Sequence, residues 1–155
     1  MLSPGWRKAV LFIHVATSVG FVGAVGAFLV LAIAGLDGAP VYAAIGLITW
    51  EVIVPLAFAS LLIGIVSAMA TPWGLWRYYW IVAKLGLTLL AVVVLMLQTR
   101  TIAALAAAPS LAGMREAQMA MILHSGGGLV VLLLATVLSI GKPRGLTGWG
   151  DPAKT

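Results

Sequence analysis

The chain has 155 residues, of which 63% are hydrophobic and 8% are charged, and its mean hydropathy is +1.15. A soluble domain carries roughly 25% charged residues, so the composition excludes a soluble enzyme and indicates an integral membrane protein. The net charge of +5 then indicates contact with anionic lipid, and the apolar segments contain no basic or RNA-binding motif that predicts a nucleic-acid partner. The absence of cysteine excludes disulfides, thiolate catalysis and Cys-ligated metals.

Four apolar segments are long enough to cross a membrane, which takes about 20 residues. They predict helices over residues 9–35, 41–70, 80–98 and 119–140, separated by connections that contain glycine or proline. The first segment is too long for the apolar part of a signal peptide and is predicted to be a retained span. The third connection is Ala-rich and is predicted to form a short helix on the outer membrane surface. The sequence thus predicts one all-α domain over residues 1–155, an integral membrane four-helix bundle.

Basic residues are distributed unevenly among the connections. The first connection carries Asp37 and no basic residue, while the third carries Arg100 and Arg115, partly balanced by Glu116. The other basic residues outside the spans lie at the N-terminus, in the second connection and in the tail: Arg7, Lys8, Arg77, Lys142, Arg144 and Lys154. Because cytoplasmic connections are rich in Lys and Arg, both termini are predicted to be cytoplasmic, with aromatic residues from Trp73 to Trp80 at that interface.

The first span combines a histidine with a stripe of small residues. His14 lies early in the span, and Ser18 follows one helical turn later. An intramembrane imidazole either binds a ligand or hydrogen-bonds a neighbouring helix. Further along the span, small residues on one helical stripe favour close helix packing, and these are Ala16, Gly20, Gly23 and Ala27.

The second span carries Glu51, with Pro55 four residues later. Proline has no N–H, so the carbonyl of Glu51 loses its helical partner, and we expect the helix to be distorted there. A carboxylate beside a freed carbonyl suits a cation or a proton. The structural alternative is a packing kink in which Glu51 is protonated or hydrogen-bonded.

The third span presents Lys84, Thr88 and Gln98 on one helical stripe, which predicts that this stripe points into the bundle. Lys84 is also long enough to extend its ammonium group to the cytoplasmic interface. Neither this span nor the others contain a Ser/His/Asp arrangement, paired carboxylates or a phosphate-binding loop, so no catalytic residue is predicted.

The fourth span contains His124 close to a methionine and a run of glycines. Met121 lies three residues earlier, and a thioether with an imidazole suits Cu(I), although methionine also fills membrane interiors without a ligand. Gly127 and Gly128 lie three and four residues after His124, on its own face. Their slim surface accepts either a neighbouring helix, which is the commoner case, or a flat macrocycle.

Helix direction decides which of these polar residues can meet. His14 and Lys84 lie early in spans that start from the cytoplasm, whereas Glu51 and His124 lie in spans that start from outside. At 1.5 Å per residue, the two histidines are predicted to differ in depth by ~10–18 Å. We therefore expect that they do not ligate one haem iron together, although either alone can serve as an axial ligand.

Four stretches of the chain resemble a group of small bacterial integral membrane proteins of uncharacterised function. These stretches are LFIHVATSVGFVGAVGAFLVLA, VPLAFASLLIGIVSA, TPWGLWRYYWIVAKLGLTLL and LHSGGGLVVLLLATVLSIGKPRGLTGWG, with TPWGLWRYYW and KPRGLT the most distinctive. The resemblance implies a four-span bundle in the bacterial inner membrane. The early histidine followed by small residues is also similar to the membrane domain of the copper-resistance D family, which implies copper or haem.

The leading functional prediction is a redox or metal-binding membrane protein. Haem b or a transition-metal ion such as copper is predicted to be held by His124 or His14, with Glu51 orienting the ligand or accepting a proton. One alternative is a non-catalytic accessory subunit or homo-oligomer. Another is a small proton-coupled transporter that uses Glu51 and Lys84, with Ser18 and Thr88 in its polar network, although the chain shows no clear inverted repeat.

Overall fold

The computed structural model describes residues 3–71, 74–143 and 145–148. In chain order its helices are α1 (Pro4–Leu36), α2 (Tyr42–Ile48), a π-helix (Thr49–Ile53), α3 (Val54–Ala70), α4 (Tyr79–Ala107) and α5 (Arg115–Gly141). The second span, Tyr42–Ala70, runs through α2, the π-helix and α3. Trp73, Arg144 and Lys154, which contributed to the predicted orientation, lie outside the described residues.

Four helices are long and apolar enough to cross a membrane, so the predicted all-α architecture with four candidate spans is confirmed. Between 17% and 22% of each apolar window is buried inside the bundle. Large apolar side chains such as Phe12, Val30 and Ile140 are mostly exposed. The helices of a soluble bundle carry polar residues on their outward faces, whereas the outward faces here are apolar, which suits a lipid environment.

The ends of the first span follow from local chemistry. Ser3 precedes the helix and its hydroxyl accepts a hydrogen bond from the Trp6 amide at 3.4 Å, while Pro4 occupies the first turn, where no N–H partner is needed. After Leu36 the chain reverses through Asp37 and Gly38, whose φ of 91° is easily adopted only by glycine. This turn sends the chain back antiparallel into α2.

The third span is longer than predicted. The short surface helix predicted for the third connection is not formed as a separate element among the described residues. The polar residues that follow Gln98 end the apolar run, but α4 continues through the Ala-rich segment to Ala107, because alanine favours helix most strongly. The second half of the predicted connection belongs to α5, which leaves residues 108–114 between the helices. Arg100 therefore lies inside the third span and not in a connection.

The spans form a ring in chain order. The main contacts join the first span to the second and fourth, and the third span to the same two neighbours. The second and fourth spans therefore lie on one diagonal. Large side chains that are at most 2% exposed fill the centre, and these are Phe21, Ile45, Ile53, Leu105 and Met121.

The two most distinctive sequence pieces meet at the end of the bundle that holds the termini. Tyr78 and Leu146 form an antiparallel β-bridge, and the Thr147 amide donates to the Arg77 carbonyl at 3.0 Å. The Thr147 hydroxyl also donates to the Trp76 carbonyl. The connection before α4 is thus fastened to the chain after α5, which fixes the start of the third span against the end of the fourth.

The small-residue stripe of α1 packs only in part. A Cβ atom at Gly20 would lie 3.3 Å from Leu56, so close packing does occur there. At Gly23 a Cβ atom would meet nothing within 4 Å, and Ala16 and Ala27 are exposed. Most of this stripe therefore contributes nothing to packing between the described helices.

Candidate functional site

The His124 ring is held in one orientation by its own helix. Nδ1 lies 2.6 Å from the carbonyl oxygen of Ala120, one turn earlier. A carbonyl only accepts hydrogen bonds, so Nδ1 carries the proton and donates. In the neutral ring, Nε2 then has a lone pair directed away from the helix backbone. Metal-bound histidines usually have this arrangement, with one ring nitrogen bonded to a carbonyl and the other available to the metal.

A cavity of about 280 Å³ lies beside His124, between α4 and α5. It is close to the lower end of the ~300–1,000 Å³ range of small-molecule sites. Its walls are mostly apolar and come mainly from α1, α4 and α5, with Phe21, Val25, Leu95, Ile102 and Val131 among them. Exposed lining residues, including Leu90 and Leu123, show that it reaches the outer surface of the bundle. A ligand can therefore enter the cavity from the side of the bundle.

The glycines beside His124 are part of this cavity and are not covered by a helix. Gly127 and Gly128 both line it, and a Cβ atom at either would meet nothing within 4 Å. No helix of the described chain approaches these glycines closely, so the commoner of the two predicted uses is not seen within one copy. The slim face leaves an open wall next to the imidazole, which is the shape a flat ligand needs.

Gln98 brings an unsatisfied polar atom to the same cavity. Its Oε1 is fully buried and has no hydrogen-bond partner among the described residues. A buried acceptor without a partner costs roughly 1–3 kcal/mol, so such atoms are rare unless a ligand or water satisfies them. The nearby hydroxyl of Ser125 is already satisfied, because it donates to the Met121 carbonyl at 2.7 Å.

A site for a bare metal ion has less support in the same region. Met121 lines the cavity and is 2% exposed, so it is placed beside His124 as predicted from their spacing. Glu51 is exposed and does not line the cavity, so the predicted His124–Glu51–Met121 ligand set is not brought together there. Among the described residues, no three or more His, Cys, Asp or Glu side chains are grouped to hold a metal ion.

The second polar cluster joins His14 and Lys84 across the bundle. Lys84 Nζ lies 3.2 Å from His14 Nε2, so the lysine is bonded within the bundle and does not extend to the interface as the alternative prediction had it. His14 is 9% exposed, and its Cε1 would lie 2.9 Å from a Cβ atom at position 64. Because Gly64 has no side chain, it leaves the space that the imidazole occupies against α3. The spacing of α3 residues gave no sign of this role.

Ser18 makes a separate contact one turn from His14, and Thr88 makes no hydrogen bond to either residue of the His14–Lys84 pair. The Ser18 and Ser60 hydroxyls are 2.9 Å apart and link α1 to α3 one turn deeper than His14. Thr88 is buried one turn beyond Lys84, and the described residues give its hydroxyl no hydrogen-bond partner. Nδ1 of His14 is also buried without a partner in the described chain. Ser18 and Lys84 thus each contact another helix, through Ser60 and through His14, and the exposed Glu51 takes part in neither contact.

The two clusters are well separated. Gln98 follows Lys84 by fourteen residues in α4, which is about 21 Å at 1.5 Å per residue. His14 contacts Lys84, whereas His124 lines the same cavity as Gln98. The two histidines are therefore in opposite halves of the bundle, as their helix directions predicted, and cannot bind one iron between them.

Replacing Lys84 by methionine should destabilise the bundle, because Nε2 of buried His14 would then lose its hydrogen-bond partner. We expect a loss of about 1 kcal/mol in the free energy of unfolding, in the range measured for polar contacts between membrane helices. Lys8→Met is the matched control, because Lys8 is exposed in the first turns of α1. Denaturant titration in detergent micelles measures both. Equal stability of the two variants would show that the His14–Lys84 contact contributes nothing.

The distortion predicted at Glu51 is present. Residues Thr49–Ile53 form a π-helix directly before Pro55, and the Val54 amide donates to the Thr49 carbonyl five residues earlier. Short π-helical segments within α-helices occur often at functional sites. Here the π-helix turns Thr49 and Ile53 into the core and leaves Glu51 on the outer surface.

Comparisons with protein families, with curated proteins and with solved structures find no match to this chain. The resemblances noted in the sequence therefore stay predictions, and the function has to be argued from the two clusters themselves.

Proposed function

We propose that this chain is a multi-pass protein of the bacterial inner membrane, with both termini cytoplasmic, that binds haem b for electron transfer or haem handling. His124 would hold the haem, and the cavity between α4 and α5 would enclose the macrocycle. The observation that carries the proposal is the bond from His124 Nδ1 to the Ala120 carbonyl, because it directs an unprotonated Nε2 away from its own helix, beside that cavity.

The donor set favours haem over a bare metal ion. A protein-bound zinc or copper ion usually takes three or four ligands from side chains, and no three His, Cys, Asp or Glu side chains are grouped among the described residues. Haem brings four nitrogens of its own, so one histidine is enough, as in proteins with a single proximal histidine. The apolar walls of the cavity suit the macrocycle, which is largely apolar itself.

Each neighbour of His124 then has a definite task. Gly127 and Gly128 leave a flat wall along which a planar group can lie, and Met121 closes the inner side of the cavity. The buried Oε1 of Gln98 accepts a hydrogen bond from the ligand or from a water that enters with it. Bound haem would supply one-electron chemistry, and the apolar surroundings would keep bulk water from it.

Titration of the purified protein with hemin in detergent tests the proposal. We expect one saturating site in the absorption spectrum, which His124→Ala removes and which His14→Ala retains, because His14 is engaged by Lys84 in the other half of the bundle. Circular dichroism of both variants verifies that the helices are intact. Retention of the site in His124→Ala, or equal loss in both variants, would contradict the assignment.

A further inference from the structure

Glu51 is a carboxylate within a span and has no partner among the described residues. It lies nine residues after Tyr42, the first residue of the second span, and its side chain is exposed. The described residues give it neither a hydrogen bond nor an ion pair. An ionisable group exposed to hydrocarbon is expensive, and such groups normally pair with another polar group.

Arg100 is the complementary feature of the third span. It lies seven residues before Ala107, the last residue of that span, and it is also exposed. It has no hydrogen bond or ion pair to any described residue. Among the basic residues that the structure describes, it is the one that lies exposed and well inside a span, since Lys84 is bonded to His14.

The two charges lie at nearly the same depth. The second span begins and the third span ends at the end of the bundle opposite the termini, so positions nine and seven residues from that end differ by about 3 Å. The second and third spans are neighbours in the ring. Both charges are thus carried by one side of the molecule, yet they do not pair with each other within the chain.

We propose that this side is a dimer interface, in which Glu51 of each copy pairs with Arg100 of the second copy. A twofold axis parallel to the spans places the second span of one copy against the third span of the other. Every contact then occurs twice, as in any isologous interface. Both copies are inserted in the same direction, so the matched depths of the two charges are kept and both pairs form together.

The surface around the two charges suits a second helix pair. Exposed apolar side chains flank them on both spans, with Leu47 and Trp50 on the second and Val93 and Leu97 on the third. These supply packing, while the two reciprocal ion pairs fix the register of the copies. A second copy is favoured over an unrelated partner because this chain itself carries both charges at matched depth. The interface does not depend on haem binding at His124.

Charge reversal tests the pairing directly. In vesicles of phosphatidylethanolamine and phosphatidylglycerol, single-molecule photobleaching of singly labelled protein reports the fraction of dimers. Glu51→Arg and Arg100→Glu each oppose like charges, and we expect each to lower the association constant by about tenfold or more. Glu51→Gln and Arg100→Gln disturb membrane insertion less than the charge reversals do, and each should lower the association constant by a smaller factor.

The two reversed variants should bind each other. One then carries arginine at both positions and the other carries glutamate at both, so every pair across the mixed interface has opposite sign. Two-colour photobleaching should find mixed dimers at the wild-type level and few dimers of either variant alone. The double variant in one chain, Glu51→Arg with Arg100→Glu, should recover the wild-type level as well.

Glu116→Arg is the matched control, because it makes the same charge change at an exposed position in the first turn of α5. It should leave the dimer fraction unchanged. A wild-type protein that is monomeric in the vesicles would overturn the proposal. So would dimers that persist in all single variants, which would place the interface elsewhere, or a mixture of the reversed variants that forms no mixed dimers.

Discussion

A leucine at position 128 is expected to abolish haem binding while the fold remains intact. Gly128 lines the cavity beside His124, and a Cβ atom there meets nothing within 4 Å, so the new side chain enters the cavity without a clash. A misfit of one methylene in an apolar pocket changes affinity by roughly 10–200-fold, and leucine adds four carbons. Hemin titration followed by absorption spectroscopy measures the loss.

Gly126→Leu is the control for this prediction. Gly126 lies in the same helix and is equally open, but it does not line the cavity. Both substitutions raise helix propensity by the same amount, so a difference in hemin affinity between them reports the cavity alone. If Gly128→Leu binds hemin as well as Gly126→Leu does, the ligand does not lie along the glycine face of α5.

Gly35→Ala should be strongly destabilising although it adds only a methyl group. The new Cβ atom would lie 2.6 Å from the Tyr42 hydroxyl oxygen and 3.1 Å from Val41. Tyr42 cannot easily move, because it is 6% exposed and its hydroxyl accepts a hydrogen bond from Gln118 Nε2 at 2.6 Å. Overpacking of a filled site costs roughly 1–3 kcal/mol, which denaturant titration in micelles measures as a lower free energy of unfolding.

Two further variants test whether the loss of stability comes from the clash with Tyr42: a control glycine in the same helix and a substitution of Tyr42 itself. At Gly26 a Cβ atom meets nothing within 4 Å, so Gly26→Ala should leave stability unchanged or raise it slightly. Tyr42→Phe removes the oxygen that clashes and should recover part of the loss when combined with Gly35→Ala. Equal stability of the two alanine variants would mean that Tyr42 does not fill the space at Gly35.

The features that could be predicted from the sequence are those set by one helix at a time. Composition and length predict the four spans, and Pro55 predicts the distortion that occurs as the π-helix before it. Helix direction places His14 and Lys84 in one half of the bundle, where their side chains meet at 3.2 Å. Each of these follows from chain direction, rise per residue or the missing N–H of proline.

The features that could not be predicted depend on which helix face meets which neighbour. The polar residues after Gln98 predict the end of a span there, whereas α4 continues past Arg100 to Ala107. Depth alone predicts that Glu51 lies beside His124, but the π-helix leaves it on the outer surface. The helical stripe predicts that Gln98 points inward, yet its unsatisfied oxygen is a property of the folded cavity.

The most direct test of the haem assignment is the absorption spectrum of the protein purified from haem-replete cells, with the haem content measured per chain. We expect an intense visible haem band at one haem per chain in the wild type and no such band in His124→Ala. A colourless wild-type protein whose spectrum shows no bound haem when hemin is added would contradict haem binding at His124.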